Sequence, residues 1–429
     1  MQGERLPVVS RAALAILLAA TLYATSASAA TEKVLLKFGG EEGYNPYAGL
    51  IFDGAGNLYG TVFFGGSDDC AYGCGTVFEL TPQTGGGWTK KVVHYFNGKD
   101  GNEPRAALVF DAKGNLYGTT QVGGADNCGT VFELTPKAGG GWTEKVLHSF
   151  YCEGGDGYEP TASLILDGVG NLYGTTGGGG AYKYYGTVFE LTPRKDGAWT
   201  EKILHSFNDN GKDGNVPVAG LIRDASGNLY GTTSYGGGGS CSQGGQVGCG
   251  TIFELAPNVG GGWTGKILHS FVDNSKDGNY PAGSLIFDAS GNLYGTTFEG
   301  GVYGGGTVFE LTPEADGRWT EAVLHNFSYQ NNGGSIPLAS LIFDASGDLY
   351  GTDSGSADNG GAVFELTPKA GGEWTETALR RFNNRQKDGA FPTASLIFDG
   401  AGNLYSTASA GGDPGCGRFG CGTVFEIIP

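Results

Sequence analysis

Apolar and polar positions along this chain fall into one phrase that keeps returning. A short apolar run, Leu50-Ile51-Phe52, ends at Asp53 and a Gly-Asn turn, and Leu58-Tyr59-Gly60-Thr61 follows. A glycine-rich stretch leads to Gly75-Thr76-Val77-Phe78-Glu79-Leu80-Thr81-Pro82, then a Gly-Gly turn, then Trp88 to Phe96. Each run is rich in β-branched and aromatic residues and bounded by turn formers, which predicts four short strands per unit. Leu50-Ile51-Phe52 and Val77-Phe78 are continuous apolar runs, as expected of strands covered on both faces.

Asn-Leu-Tyr-Gly-Thr begins at Asn57 and Asn115 and recurs, intact or in close variants, at Asn171, Asn228, Asn292, Asp348 and Asn403. Tyr59 to Tyr405 covers six intervals averaging about 58 residues, a repeat long enough for one propeller blade. Seven such units predict an all-β fold, a seven-bladed β-propeller of four-stranded antiparallel blades. The phase of the ends supports a ring. Thr31-Glu32-Lys33-Val34-Leu35 matches the fourth-strand phrase Thr143-Glu144-Lys145-Val146-Leu147, whereas Gly422-Thr423-Val424-Phe425-Glu426 is a third strand. The N-terminal strand is therefore expected to complete the last blade in a 3+1 closure, with residues 30–429 forming one domain. Closure removes two exposed sheet edges, which an open solenoid would have to cap.

Composition fits this reading. The chain has 429 residues, 82 of them glycine and 16 proline, which by itself would point toward low complexity. However, 39% are hydrophobic and only 16% charged, so the glycines punctuate strands and do not thin out a core. A net charge of −18 and a pI near 4.6 exclude nucleic-acid binding and disfavour anionic membranes. Residues 1–29 read as a signal peptide: Arg5 and Arg11, an apolar run from Ala12 to Leu22, and Ala27-Ser28-Ala29 as the cleavage site. That run is too short for a dependable membrane span. No cysteine sits at the cleavage site and Ile427-Ile428-Pro429 carries no hydrophobic tail. The expectation is a soluble monomer, secreted or periplasmic, without membrane insertion after signal removal.

The phrase Asn-Leu-Tyr-Gly-Thr, followed by Gly-Gly and Gly-Thr-Val-Phe-Glu-Leu, resembles the secreted bacterial GloVer-type (Gloeo/Verruco) tandem-repeat proteins over essentially the whole mature chain. The resemblance implies export and a propeller-like repeat. It implies no established activity and supplies no catalytic residue, and the C-terminal anchors common in that family are not expected here.

Residues that recur in register read as architecture. His94, His148, His205, His269 and His325 share one outer-strand position, where the other units have Leu36 and Arg380. Nucleophilic triads and histidine–metal sites are therefore not expected. Six tryptophans begin the fourth strands, and Asp53 and its equivalents open turns with glycine three residues later, as type I turns prefer. Glu79 and its equivalents should pair locally.

Eight cysteines in an exported chain predict four disulfides. Antiparallel pairing sets the start of the third strand beside the end of the fourth. The expected bonds are Cys70–Cys74, Cys128–Cys152, Cys241–Cys249 and Cys416–Cys421. Variable spacings and the lack of a free histidine disfavour a zinc site at these cysteines.

Loops after the second and fourth strands leave the ring on the same side and carry the irregular residues. Tyr182, Lys183, Tyr184, Tyr185, Tyr72, Tyr235 and Tyr303 are candidate ligand contacts, because aromatics beside carboxylates suit sugar rings. Arg105 and Arg223 break register and are candidates for an anionic ligand in the central channel. Asp273 and Asp277 lie in an oxygen-rich stretch that could bind calcium, without the glutamate an EF-hand needs; no other cofactor is expected. A non-catalytic binding or scaffold module for extracellular glycan or protein is the leading reading. A polysaccharide lyase or glycoside hydrolase is the alternative, with Asp68, Asp69, Asp126 and Glu299 as available acids.

Overall fold

The computed structural model describes residues 30–208, 210–329, 334–355, 360–383, 388–417 and 419–429; the predicted signal peptide lies outside them. Blade 1 consists of Ile51–Phe52, Leu58–Val62, Thr76–Pro82 and Trp88–Tyr95, paired antiparallel in chain order from the inner to the outer strand. Blades 2 to 6 repeat that order, and no α-helix occurs among the described residues. Blade 7 takes Ile397–Phe398, Leu404–Ala408 and Thr423–Ile428 from the end of the chain and its outer strand, Thr31–Lys37, from the beginning. Thr31 stands opposite Ile428 and Lys37 opposite Thr423, so the predicted 3+1 closure is present.

Seven apolar clusters occupy the seven seams between neighbouring blades, including the seam between blade 7 and blade 1. Each is built the same way. Tyr59 meets Phe110 and Trp142 of the next blade edge-on at 5.3 and 6.0 Å. Phe96, at the end of an outer strand, meets Phe132 of the next blade at 5.1 Å. Burying a phenylalanine in this way stabilises by roughly 1.5–3 kcal/mol, so the seams supply the main driving force.

The repeated phrase can now be read residue by residue. Asp53 Oδ1 accepts the N–H groups of Ala55 and Asn57 at 2.8 and 2.9 Å, fixing the first turn. The Tyr117 hydroxyl donates to Glu133 at 3.0 Å, and five further blades repeat this bond. Gly60 permits close approach: a Cβ there would lie 2.7 Å from the Phe78 ring and 2.9 Å from Leu50. Thr119 donates across the seam to the Ala162 carbonyl at 3.1 Å, as Thr175 does to Ala219.

Small residues just before the inner strands bring the blades into contact around the axis. Ala107 N–H donates to Ser163 Oγ, Ser284 N–H to Ser340 Oγ and Ser340 N–H to Ser395 Oγ, at 3.1, 2.9 and 3.2 Å. A Cβ on Gly49 would lie 3.5 Å from Ser395 and 3.8 Å from Ala107, and one on Gly220 would meet Ser163 and Ser284. The contacts run through all seven blades and return to the first.

Candidate functional site: the loop end of the ring

The two ends of the ring differ. One carries only the short turns at Asp53–Gly56, Gln83–Gly87 and their equivalents. At the other, the loop leaving each outer strand pairs with the loop after the second strand of the next blade. Tyr44 bridges Phe64, Asn102 bridges Val122, Gly157–Tyr158 pairs with Gly178–Gly179, and Ala390 bridges Ala410. All four predicted disulfides are formed at this end, with Cα separations of 4.9 to 5.6 Å.

The richest groove lies over the seam between blades 2 and 3. It measures 860 Å³ and is lined by Glu153, Asp156, Tyr158, Lys183 and Tyr184, with Cys152 at its edge. Its shape follows from the local sequence. Cys128–Cys152 ties one wall to the start of the third strand. Tyr158 lies flat on Gly178, where a Cβ would come within 2.2 Å of the ring. Gly180 donates to the Asp156 carbonyl at 2.8 Å, and Lys183 donates to the Gly180 carbonyl at 3.0 Å. Lys183 is held at φ +76°, a conformation that costs a lysine on the order of 1 kcal/mol and that a tight turn imposes. Tyr182 and Tyr184 stand exposed, whereas Tyr185 packs against the next seam.

A second groove, 960 Å³, lies over the closing seam and is lined by Glu41, Tyr44, Asp68, Asp69 and Tyr72. The Tyr44 hydroxyl donates to the Tyr72 carbonyl at 3.3 Å, and Tyr44, Phe64 and Tyr72 stack in series.

The other candidate residues are dispersed. Tyr235 leans on Tyr280 at 5.2 Å and is half-buried, while Tyr303 is exposed in the loop of blade 5. Arg105 sits at the loop end with its guanidinium over Tyr47 at 5.4 Å. Arg223 ends its inner strand at the opposite end of the ring, beside its own turn at Gly227. The two arginines therefore share no site. Asp68 and Asp69 lie in the closing-seam groove, Asp126 in blade 2 and Glu299 on the second strand of blade 5, so these acids do not gather across one cleft. Asp277 is buried and accepts from Val272 and Gly278 N–H groups at 3.0 and 2.8 Å; Asp273 is exposed in the same loop.

One arrangement is invisible in a single repeat. Four of the five outer-strand histidines, all but His325, face the acid of the following loop, and in three of those seams a glutamate of the next blade joins them. The sets are His94 with Asp100 and Glu144, His148 with Asp156 and Glu201, and His269 with Asp277 and Glu321. Burial and the neighbouring aspartate push Glu144 and Glu321 up to about 7 and Glu201 up to about 8. In two of the other seams the charges change together. Leu36 replaces histidine beside a Glu42–Lys90 pair at 2.6 Å, and Arg380 replaces it between Glu32, at 2.6 Å, and Asp388. The sequence signal for this was the paired exchange, read across blade boundaries.

The Gloeobacter/Verrucomicrobia repeat family matches residues 18–243 and 238–429. The chain belongs to this family. A comparison with curated protein sequences finds no match. Among solved structures, the extracellular domain of a hybrid two-component system from B. thetaiotaomicron superposes with a TM-score of 0.53 at 12% identity. PorZ, a bacterial surface component of the type-IX secretion system of Porphyromonas gingivalis, superposes with a TM-score of 0.50 at 14% identity. Both alignments cover 92% of this chain but only 39% and 48% of those proteins, so the likeness is one of propeller fold. No helix among the described residues is long and apolar enough to cross a membrane.

Proposed function

We propose that this repeat protein is an exported, non-catalytic binding propeller that engages extracellular glycan or protein through its loop end. The observation that carries the reading is the groove between blades 2 and 3. There Tyr184 offers an exposed ring beside Tyr158, and Glu153, Asp156 and Lys183 offer hydrogen-bonding groups along the same 860 Å³ trough. Aromatic faces with flanking polar groups suit sugar rings, and the Cys128–Cys152 disulfide at its edge fixes one wall in advance. Four disulfides among eight cysteines, with none free, suit an oxidising compartment, secreted or periplasmic. The fold neighbours, one an extracellular domain and one a surface component, are compatible with that setting.

The test is a glycan array run beside a polysaccharide-degradation panel. Retention without chain shortening is expected. Tyr184→Ala should weaken retention about 2- to 12-fold, the equivalent of 0.5–1.5 kcal/mol for one aromatic contact. Turnover of any polymer would instead favour the lyase or hydrolase reading. Retention that ignores Tyr184→Ala would remove this groove from the site.

A further inference from the structure

We propose that three blade seams are binding sites for a divalent metal ion of the zinc class, each formed by one imidazole and two carboxylates. The ligands are His94, Asp100 and Glu144; His148, Asp156 and Glu201; and His269, Asp277 and Glu321. The site of His148 touches the loop-end groove through Asp156, and the other two share no residue with it. Each draws a histidine from one outer strand, an aspartate from the loop behind it and a glutamate from the outer strand of the next blade, so a bound ion would pin two blades together.

Geometry favours an ion. Within each set the ligand atoms lie within 4.8 Å of one another. Histidine Nε2 stands 3.2, 3.4 and 3.4 Å from the aspartate oxygen in the three seams. Metal–ligand bonds of about 2.0–2.1 Å in a tetrahedron put neighbouring ligand atoms about 3.3 Å apart. Oε1 of Glu144, Glu201 and Glu321 and Nε2 of His148 and His269 are buried and have no hydrogen-bond partner. In the first seam His94 Nε2 and Asp100 share a hydrogen bond at 3.2 Å that an ion would replace; in the other two the imidazole and glutamate lone pairs converge unpartnered, which a cation satisfies. An imidazole with two carboxylates suits zinc better than calcium, which prefers all-oxygen sets.

The surroundings already orient the ligands. His94, His148 and His269 each lie edge-on to a phenylalanine two residues on, at 4.8, 4.6 and 4.7 Å. Asp156 accepts Gly157 and Tyr151 N–H groups at 2.8 and 3.1 Å, and Asp100 accepts the Asn97 N–H at 2.9 Å. Such outer contacts hold a ligand in place before the metal arrives.

The other seams act as internal controls. Between blades 6 and 7, Arg380 reaches both Glu32 and Asp388, so a guanidinium stands where the ion would sit. At the closing seam Lys90 pairs with Glu42. Between blades 3 and 4, Gly265 replaces the glutamate and leaves a 270 Å³ cavity beside His205 and Asp213. Unit 5 has Gly333 at the acid position.

Untagged protein is stripped with chelator and titrated with zinc chloride by calorimetry, with cobalt(II) absorption as a second readout. Three equivalents are expected, with the visible bands of tetrahedral cobalt. Glu144→Gln, Glu201→Gln and Glu321→Gln should each remove one equivalent, and Gly265→Glu should add a fourth. Circular dichroism melting checks that each near-isosteric glutamine variant is folded. A stoichiometry other than three, or one that the glutamine variants leave unchanged, overturns the proposal.

Discussion

Phe38 offers the sharpest test of ring closure, because it follows the N-terminal strand yet belongs to the seam between blade 7 and blade 1. It is 1% exposed and meets Phe78 edge-on at 5.2 Å; its N–H donates to the Gly422 carbonyl at 3.1 Å. Phe38→Ala removes a fully buried ring from a packed seam, which costs about 3–5 kcal/mol when the surroundings cannot collapse. The lysine stem above it limits collapse, since Lys90 Nζ lies 5.3 Å from the ring and is held by Glu42. Phe150 provides the matched control. It occupies the same register inside the chain, is fully buried, and meets Phe189 at 5.3 Å. Guanidinium unfolding followed by tryptophan fluorescence should give both alanine variants losses of the same size. A loss below about 1 kcal/mol for Phe38→Ala beside a full loss for Phe150→Ala would mean that the N-terminal strand is a loose attachment, and closure as described would fail.

Two further perturbations follow from packing and charge. Gly118→Ala places a methyl 2.6 Å from Phe132 and 2.8 Å from Leu108, and should cost about 1–3 kcal/mol in the same unfolding assay. Ser406→Gly, at the corresponding position of blade 7, should cost about 1 kcal/mol by removing a hydroxyl that donates to the Ala394 and Ser395 carbonyls at 3.1 Å. For pH, burial pushes Asp353 up to about 7, so the folded state holds a proton that the unfolded chain has already lost. That stabilisation is present below about pH 4 and is lost as pH rises through 7, by up to about 4 kcal/mol, and Asp353→Asn should abolish the loss. Burial pulls His325 down to about 4, so stability falls instead as pH drops from about 6.5 toward 4, and His325→Gln should remove that acid-side loss. Melting temperatures of the variants at pH 4, 6 and 8, compared with the parent, check both signs.

Much of the architecture was legible in the sequence because each unit states it again. The four-strand phrase, the displaced outer strand and the cysteine pairs all rest on contacts within one blade or between chain ends that match. Tyr117 with Asp111 and Glu133 is likewise local, and the local pairing expected of that glutamate is met by the tyrosine hydroxyl. What lay outside such reasoning is anything assembled between blades. His148 and Glu201 are 53 residues apart and meet only because adjacent outer strands lie side by side. Recurrence identified the histidines as architecture without revealing that the next blade supplies a second carboxylate. The loop end was legible as a face but not as grooves. Tyr184 is exposed and Tyr185 half-buried because the turn at Lys183 aims them apart, which depends on a backbone conformation that composition does not encode.

Hydrogen-exchange footprinting with a polysaccharide retained on the array tests most directly which end of the ring works. Binding in the groove between blades 2 and 3 predicts slowed exchange across residues 151–158 and 178–185, with no change at the turns 53–57 and 83–87. Protection at those turns, with the groove unaffected, would place recognition at the opposite end and contradict the proposed function.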